Sequence, residues 1–175
     1  TELLRAIEAF PMPLIASLGG HAIGGGALLA SFCDFRIARM GVRFEIPASR
    51  LGVLYPLEGI RRLVALLGSP RAASVLLRAA SIDSAQGLAC GLYEEVVPTV
   101  DLDEAVNGLA DDLALRAPLA VAGMRATLRG LALGRPDAEL SRLHGSWTAR
   151  CLSSDDLAEG LSAALGRREP RFEGR

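Results

Sequence analysis

The sequence predicts an α/β fold with a helical C-terminal part. At residues 14–30 a short apolar strand runs through a cluster of glycines into a helix. Further short apolar segments follow between breakers as far as Pro98, and beyond it only helical periodicity remains. We place the boundary there, with a partial α/β core over 1–98 and a helical region over 99–175.

Leu3, Leu4, Ile7 and Phe10 recur at helical spacing, and Pro11 with Pro13 close that element. Leu14 to Leu18 reads as a buried strand. It enters the run Gly19-Gly20-His21-Ala22-Ile23-Gly24-Gly25-Gly26, after which Ala27 to Ala30 read as a helix. Phe35 to Ala38 and Arg43 to Ile46 flank a turn at Met40 and Gly41, which predicts paired strands. Pro56 and Gly59 interrupt the chain before the apolar face of Ile60, Leu63, Val64 and Leu67, and Pro70 falls where a first helical turn tolerates it. Tyr93 to Val97, between Gly91 and Pro98, reads as one more strand. The remaining helices span Asp103 to Arg116, Pro118 to Leu131 and Asp137 to Cys151, and a last one is opened by Ser153 and Ser154 with Glu159 in its first turns.

Composition narrows the chemistry. Nineteen basic against 20 acidic residues leave a formal charge of −1, so no charge excess points to nucleic acid or an anionic membrane surface. Every basic residue is arginine, which excludes Schiff-base, phosphate-loop and general-base lysines. Cys33, Cys90 and Cys151 are isolated and odd in number, so neither a disulfide framework nor a metal site is legible, and a cytoplasmic setting is expected. No apolar run approaches the roughly 18–20 residues of a membrane span, and the residues from Thr1 onward lack the blocks of a signal peptide.

A strand leading through Gly24, Gly25 and Gly26 into a helix sets unpaired N–H groups at the positive end of the helix dipole. The glycine spacing does not match a dinucleotide fingerprint, and the glycine-lysine pair of a phosphate loop is absent. Two readings remain: an oxyanion hole for a carbonyl that gains charge, and glycines that merely permit close helix packing.

The run Pro13-Leu-Ile-Ala-Ser-Leu-Gly-Gly-His-Ala-Ile-Gly-Gly-Gly-Ala-Leu-Leu-Ala-Ser-Phe-Cys-Asp34 resembles the signature of the enoyl-CoA hydratase/isomerase (crotonase) superfamily. The order of Phe44-Glu-Ile-Pro, Arg50-Leu-Gly, Gly59-Ile-Arg-Arg-Leu, Ala85-Gln-Gly-Leu-Ala-Cys-Gly-Leu, Val96-Val-Pro, Ala117-Pro-Leu-Ala and Ser154-Asp-Asp-Leu-Ala-Glu-Gly extends the resemblance over nearly the whole chain. It implies a crotonase (ClpP-like) spiral of β-β-α units without its N-terminal part, a helical trimerisation region and a homotrimer or hexamer. It also implies an acyl-CoA substrate, no cofactor beyond that coenzyme A, and no metal, nucleic acid or membrane. Gly25 corresponds to one of the two enolate-stabilising amides; the other belongs to an upstream segment that this chain does not contain, as in a truncated piece or a shortened member. Gly24 joins the substrate-binding loop.

The departures bear on the reaction. Leu28 and Ala48 stand where the hydratases carry their two glutamates, and neither side chain moves a proton. Tyr55, within Leu51-Gly-Val-Leu-Tyr-Pro-Leu-Glu-Gly-Ile, aligns with a tyrosine of methylmalonyl-CoA decarboxylase-like members, where a phenol can orient a departing carboxylate. Its alternative is packing with a hydrogen-bonded hydroxyl. Glu58 is either a carboxylate at a helix start or a relocated proton-transfer group. Glu45 is expected to face solvent, His21 to support the loop within the substrate site, Asp34 to be structural, and His144 and Trp147 to pack. Arg167 and Arg168 stand where the family places basic residues that reach CoA phosphates, against the alternative of a solvated tail. Three functions follow: a lyase acting on a malonyl-type CoA ester, a hydratase or isomerase using Glu58, and a non-catalytic member that has lost both glutamates.

Overall fold

The computed structural model describes residues 2–175, apart from the side chains of Arg5 and Glu8. The chain divides into two units. The first takes the residues up to Ala9 and Leu14–Gly108; the second takes Phe10–Pro13 and Leu109–Arg175. Among the described residues no helix is long and apolar enough to cross a membrane.

The first unit runs α1 (Glu2–Ala9), β1 (Ile15–Leu18), β2 (Ala22–Ile23), α2 (Gly25–Phe32), β3 (Phe35–Arg39), β4 (Arg43–Glu45), α3 (Leu57–Leu77), β5 (Ile82–Asp83), α4 (Ser84–Ala89) and β6 (Glu95–Val97). Short 3₁₀ turns lie at Pro47–Arg50 and Thr99–Asp101. The strands form two three-stranded sheets. In one, β3 lies between β1 and β6, all parallel; in the other, β4 pairs parallel with β2 and antiparallel with β5.

The expected pairing of Phe35–Ala38 with Arg43–Ile46 does not occur. Both edges of β3 are occupied, and its last turn stays tied to β6 through Met40 N donating to Val97 O at 2.8 Å. The chain therefore turns at Gly41 and carries β4 into the other sheet. The strand expected at Tyr93–Val97 starts only at Glu95, because the Leu92 and Tyr93 amides turn back to Gly87 O at 2.9 and 3.3 Å. The predicted break near Pro70 is real. Gly68 has φ 72° inside α3, and Pro70 follows in the first turn of the resumed helix.

The core of this unit gathers Phe44, Ile46, Leu63, Val75, Leu92 and Tyr93 with small alanines of α2 and β3. Asp34 is structural, as expected: its Oδ2 accepts from Leu14 N at 2.8 Å, locking β1 to the junction of α2 and β3.

α5 (Leu102–Ala114) runs through the division between the units. The second unit holds α6 (Pro118–Ala132), α7 (Asp137–Leu152) and α8 (Asp155–Gly166). α6 and α7 pack antiparallel through missing side chains: a Cβ on Gly123 would lie 2.9 Å from Trp147, and one on Gly130 would lie 2.7 Å from Leu140. Trp147 also carries the Arg150 guanidinium 4.2 Å from its ring centroid, and His144 meets Thr127 Oγ1 at 3.2 Å. Trp147 packs, as the sequence suggested, whereas His144 is exposed and meets the threonine from the surface. Ser154 caps α8, accepting from Leu157 N at 3.3 Å. Buried Asp156 accepts from the Glu173 and Gly174 amides at 2.7 and 3.0 Å, folding the tail back along that helix.

Candidate functional site

The site begins at β2. His21 Nδ1 accepts from Arg43 N at 3.2 Å, so this imidazole supports the loop by tying it to β4. One step on, Gly24 N donates to Glu45 O at 2.9 Å. Gly24 then adopts φ 56° and ψ −110°, a backbone that side-chain-bearing residues avoid, and its carbonyl accepts from Leu28 N at 3.0 Å to start α2. No side chain caps the start of this helix, so its first-turn N–H groups are left without a side-chain acceptor.

Gly25 and Gly26 are exposed, and a Cβ built on Gly24, Gly25 or Gly26 meets nothing within 4 Å. The close-packing reading of these glycines therefore has no neighbour to act on. What the missing side chains leave is open space in front of the helix N-terminus, where an anion is favoured.

Beside that opening the chain builds an apolar wall. A Cβ on Gly59 would lie 2.7 Å from Tyr55 Cε1 and 2.9 Å from Leu28 Cδ1, so the phenol ring and Leu28 of the first turn of α2 meet over this glycine. Ala48, in the 3₁₀ turn, packs against the same core. The Tyr55 hydroxyl is buried with no hydrogen-bond partner, and burial pushes it up to about 12. It is thus a neutral donor. The sequence reading that the hydroxyl would be satisfied by protein is not met.

Other expected residues fall differently. Glu58 is exposed in the first turn of α3, where its charge suits the dipole. Glu45 does not face solvent freely: its side chain is 16% exposed and paired with Arg50 Nη1 at 2.8 Å, while Arg50 Nη2 donates to Ala79 O at 2.8 Å. The sequence alternation placed Glu45 opposite Phe44 correctly, but an arginine five residues on covers it. Arg168 Nη1 and Nη2 hold Glu159 at 2.6 and 2.7 Å, and the Arg171 amide adds a bond at 2.7 Å. Arg168 first and Arg171 second draw the Glu159 carboxyl down to about 2. Arg167 is exposed at the left-handed end of α8. Glu159, Arg168 and Arg171, but not Arg167, line an open, charged concavity of about 1030 Å³ within the second unit, together with Asp155 and Glu173.

Two residues that sequence reasoning passed over hold the far end of α2. Arg36 Nη1 donates to Ala30 O at 3.3 Å and to Cys33 O at 2.7 Å, and its Nε donates to Leu92 O at 2.5 Å. Arg62 Nε donates to Ser31 O at 2.5 Å and its Nη2 to Cys33 O at 3.0 Å. Arg36 is buried; that burial, and secondly the Arg62 charge, lower it to about 10. An arginine set among the apolar Phe35, Ile37 and Ala38 of β3 was the available signal. Among the described residues, no three His, Cys, Asp or Glu side chains are placed to hold a metal ion.

A family profile described as enoyl-CoA hydratase/isomerase matches residues 1–175. The chain is 33% identical over 174 residues to the 2,3-dehydroadipyl-CoA hydratase of Escherichia coli, covering 99% of this chain and 68% of that protein. It is 31% identical over 175 residues to the methylmalonyl-CoA decarboxylase of the same organism, covering 99% of this chain and 67% of that one. Superposition on an enoyl-CoA hydratase from Bacillus anthracis gives a TM-score of 0.90 at 27% identity, over 99% of this chain and 67% of the other. The chain spans only part of its curated relatives, from 61% to 68% of the length of the first three it matches.

Proposed function

We propose that this chain, which belongs to the enoyl-CoA hydratase/isomerase family, acts on an acyl-CoA thioester by stabilising an enolate at the glycine loop. The reaction that best suits its residues is decarboxylation of a malonyl-type CoA ester. The observation that carries the reading is the bare N-terminus of α2, taken with a buried, unpartnered Tyr55 hydroxyl whose ring meets Leu28 of that helix over Gly59.

In this reaction the bond between the α-carbon and the carboxylate breaks, carbon dioxide leaves, and the electron pair moves into the thioester to give an enolate. The α-carbon then takes a proton from water. Negative charge on the thioester oxygen grows as the bond breaks, so a fixed N–H at Gly25 binds the transition state more tightly than the substrate. No base is required, which suits Leu28 and Ala48 at the positions that the family resemblance assigns to catalytic glutamates. The neutral Tyr55 hydroxyl has its donor unspent, and a substrate carboxylate is an acceptor it can orient.

Names of relatives favour a second reading: the 2,3-dehydroadipyl-CoA hydratase is among the similar proteins. A hydratase working through Glu58 would have to draw that exposed side chain over the site, and loss of general acid-base groups costs about 10² to 10⁴-fold in rate. The two readings part on substrate. Methylmalonyl-CoA and crotonyl-CoA offered side by side should give decarboxylation of the first and little hydration of the second. Faster hydration of crotonyl-CoA, or decarboxylation indifferent to Tyr55→Phe, would transfer the assignment to Glu58 or to a non-catalytic role.

The trimeric or hexameric assembly expected for the family draws support from apolar side chains left exposed on α6 and α8, among them Leu128, Leu131, Leu161 and Leu165. Sedimentation at micromolar concentration should give a species larger than one chain; a clean monomer would contradict it.

A further inference from the structure

We propose that Arg36 and Arg62 are positioning residues for the glycine loop, gripping the carbonyl end of α2 so that the N–H groups of Gly25 and Gly26 at its other end are held still and in positive potential. The functional consequence rests on the enolate reading above; the grip itself rests on geometry.

Eight residues at roughly 1.5 Å per residue make α2 about 12 Å long. So short a helix is marginal by itself and depends on what holds it, its buried face of Ala27, Ala30, Ser31 and Phe32 and the ties at its two ends. At the N-terminal end, Gly24 N bonded to Glu45 O is the backbone tie to β4, and no side chain caps the helix. At the C-terminal end, two guanidinium groups converge on the carbonyls of Ala30, Ser31 and Cys33. Arg36 reaches further, to Leu92 O from Nε and to Asp34 O at 3.3 Å from Nη2, which ties this end of α2 to the approach to β6. Arg62 ties it to α3, the helix that also carries Gly59 under Tyr55 and Leu28. The carbonyl end is thus fixed from two sides of the core.

The choice of donors adds an electrostatic argument. Orphan carbonyls at a helix end can be satisfied by neutral amides or water. Here two like charges are brought together instead, a repulsion that helps to lower Arg36. Cations at a helix C-terminus suit the macrodipole, and their field along the axis of so short a helix reaches its N-terminus with the sign that a developing anion needs.

The test uses the full chain and the variants Arg62→Gln, which keeps a donor without charge, and Arg62→Lys, which keeps charge without the fork. Site-resolved amide exchange compares Leu28 and Leu29 in the first turns of α2 with Ile37 and Ala38 in β3, alongside calorimetric titration with methylmalonyl-CoA. The expected result for Arg62→Gln is exchange at Leu28 and Leu29 at least tenfold faster relative to β3, with weaker methylmalonyl-CoA binding; Arg62→Lys should fall between it and the parent chain. An unchanged ratio, or equal acceleration everywhere, would overturn the proposal by reducing Arg62 to a general structural anchor. Should Arg62→Gln not fold, the parent chain still decides: Leu28 and Leu29 must be protected to within tenfold of Ile37 and Ala38, and free exchange there overturns the grip. If the parent chain binds no methylmalonyl-CoA while the exchange result holds, the enolate reading fails and the grip stands.

Discussion

Seven glycines of this chain fall into two kinds that look alike in sequence. At Gly59, Gly87, Gly123 and Gly130 an added Cβ would run into a neighbouring side chain, belonging to Tyr55 and Leu28, Tyr93, Trp147 and Leu140 respectively. At Gly24, Gly25 and Gly26 it would meet nothing. The first kind lets two elements touch. The second keeps a helix end bare, and Gly24 also supplies the backbone turn that starts that helix. The distinction separates glycines that hold the fold from glycines that the proposed function sets before a ligand, and substitutions at each should damage different properties.

The largest loss of stability is expected at Gly87. Gly87→Ala pushes a methyl group into the buried Tyr93 ring, and overpacking of a core costs typically about 1–3 kcal/mol. Chemical denaturation should show the loss, with CoA-thioester affinity of the folded fraction unchanged. Equal stability would mean that the ring moves freely and that the comparison is false.

A smaller effect, opposite in kind, is expected at Tyr55. Tyr55→Phe removes a buried hydroxyl that has no partner, so stability should hold or rise by up to about 1 kcal/mol. Turnover of methylmalonyl-CoA should nonetheless fall tenfold or more, because a hydrogen bond to a charged group is typically worth about 1.5–3 kcal/mol. A clear loss of stability in this variant would point to a packing role for the hydroxyl.

The smallest effect concerns the tail. Glu159 is lowered in the folded chain from 4.5 to about 2. A carboxyl whose folded value is depressed contributes stability that is present above its unfolded value and is lost as pH falls through the folded one. Docking of residues 168–171 should therefore weaken between pH 4.5 and 2, and salt should weaken it further because the pair is exposed. Amide shifts of Arg171 followed through that range should move, while those of the glycine loop should not.

What could be read from the sequence was local. The run from Leu14 to Ala30 announces strand, glycines and helix because each element is set by residues adjacent in the chain, and Pro70 marks the break in α3 for the same reason. The destinations of β3 and β4 were not legible, since pairing was judged from the short turn between them and the competing partners, β1, β6, β2 and β5, lie elsewhere in the chain. The glycine loop and Tyr55 were legible as candidates. The roles of Arg36, Arg62 and Arg50 were not, because the acceptors of the first two are backbone carbonyls, which carry no sequence signal, and Glu45 was read by strand alternation alone. An unsatisfied hydroxyl is likewise a property of surroundings, and no spacing rule could have shown that Tyr55 keeps its donor free.

The central claim, that the bare start of α2 binds developing charge, is tested most directly at Gly25, measuring the melting temperature and acyl-CoA turnover of Gly25→Val on one preparation. Gly25 has no close neighbour and no positive φ, so a valine there should leave the melting temperature within a few degrees, valine being no poorer a helix former than glycine. Turnover of methylmalonyl-CoA should fall by about 10² to 10³, as large as the typical effect of losing one oxyanion donor, because the valine side chain keeps the thioester oxygen away from the retained N–H. A variant that melts like the parent and turns over the thioester at the parent rate would contradict the account.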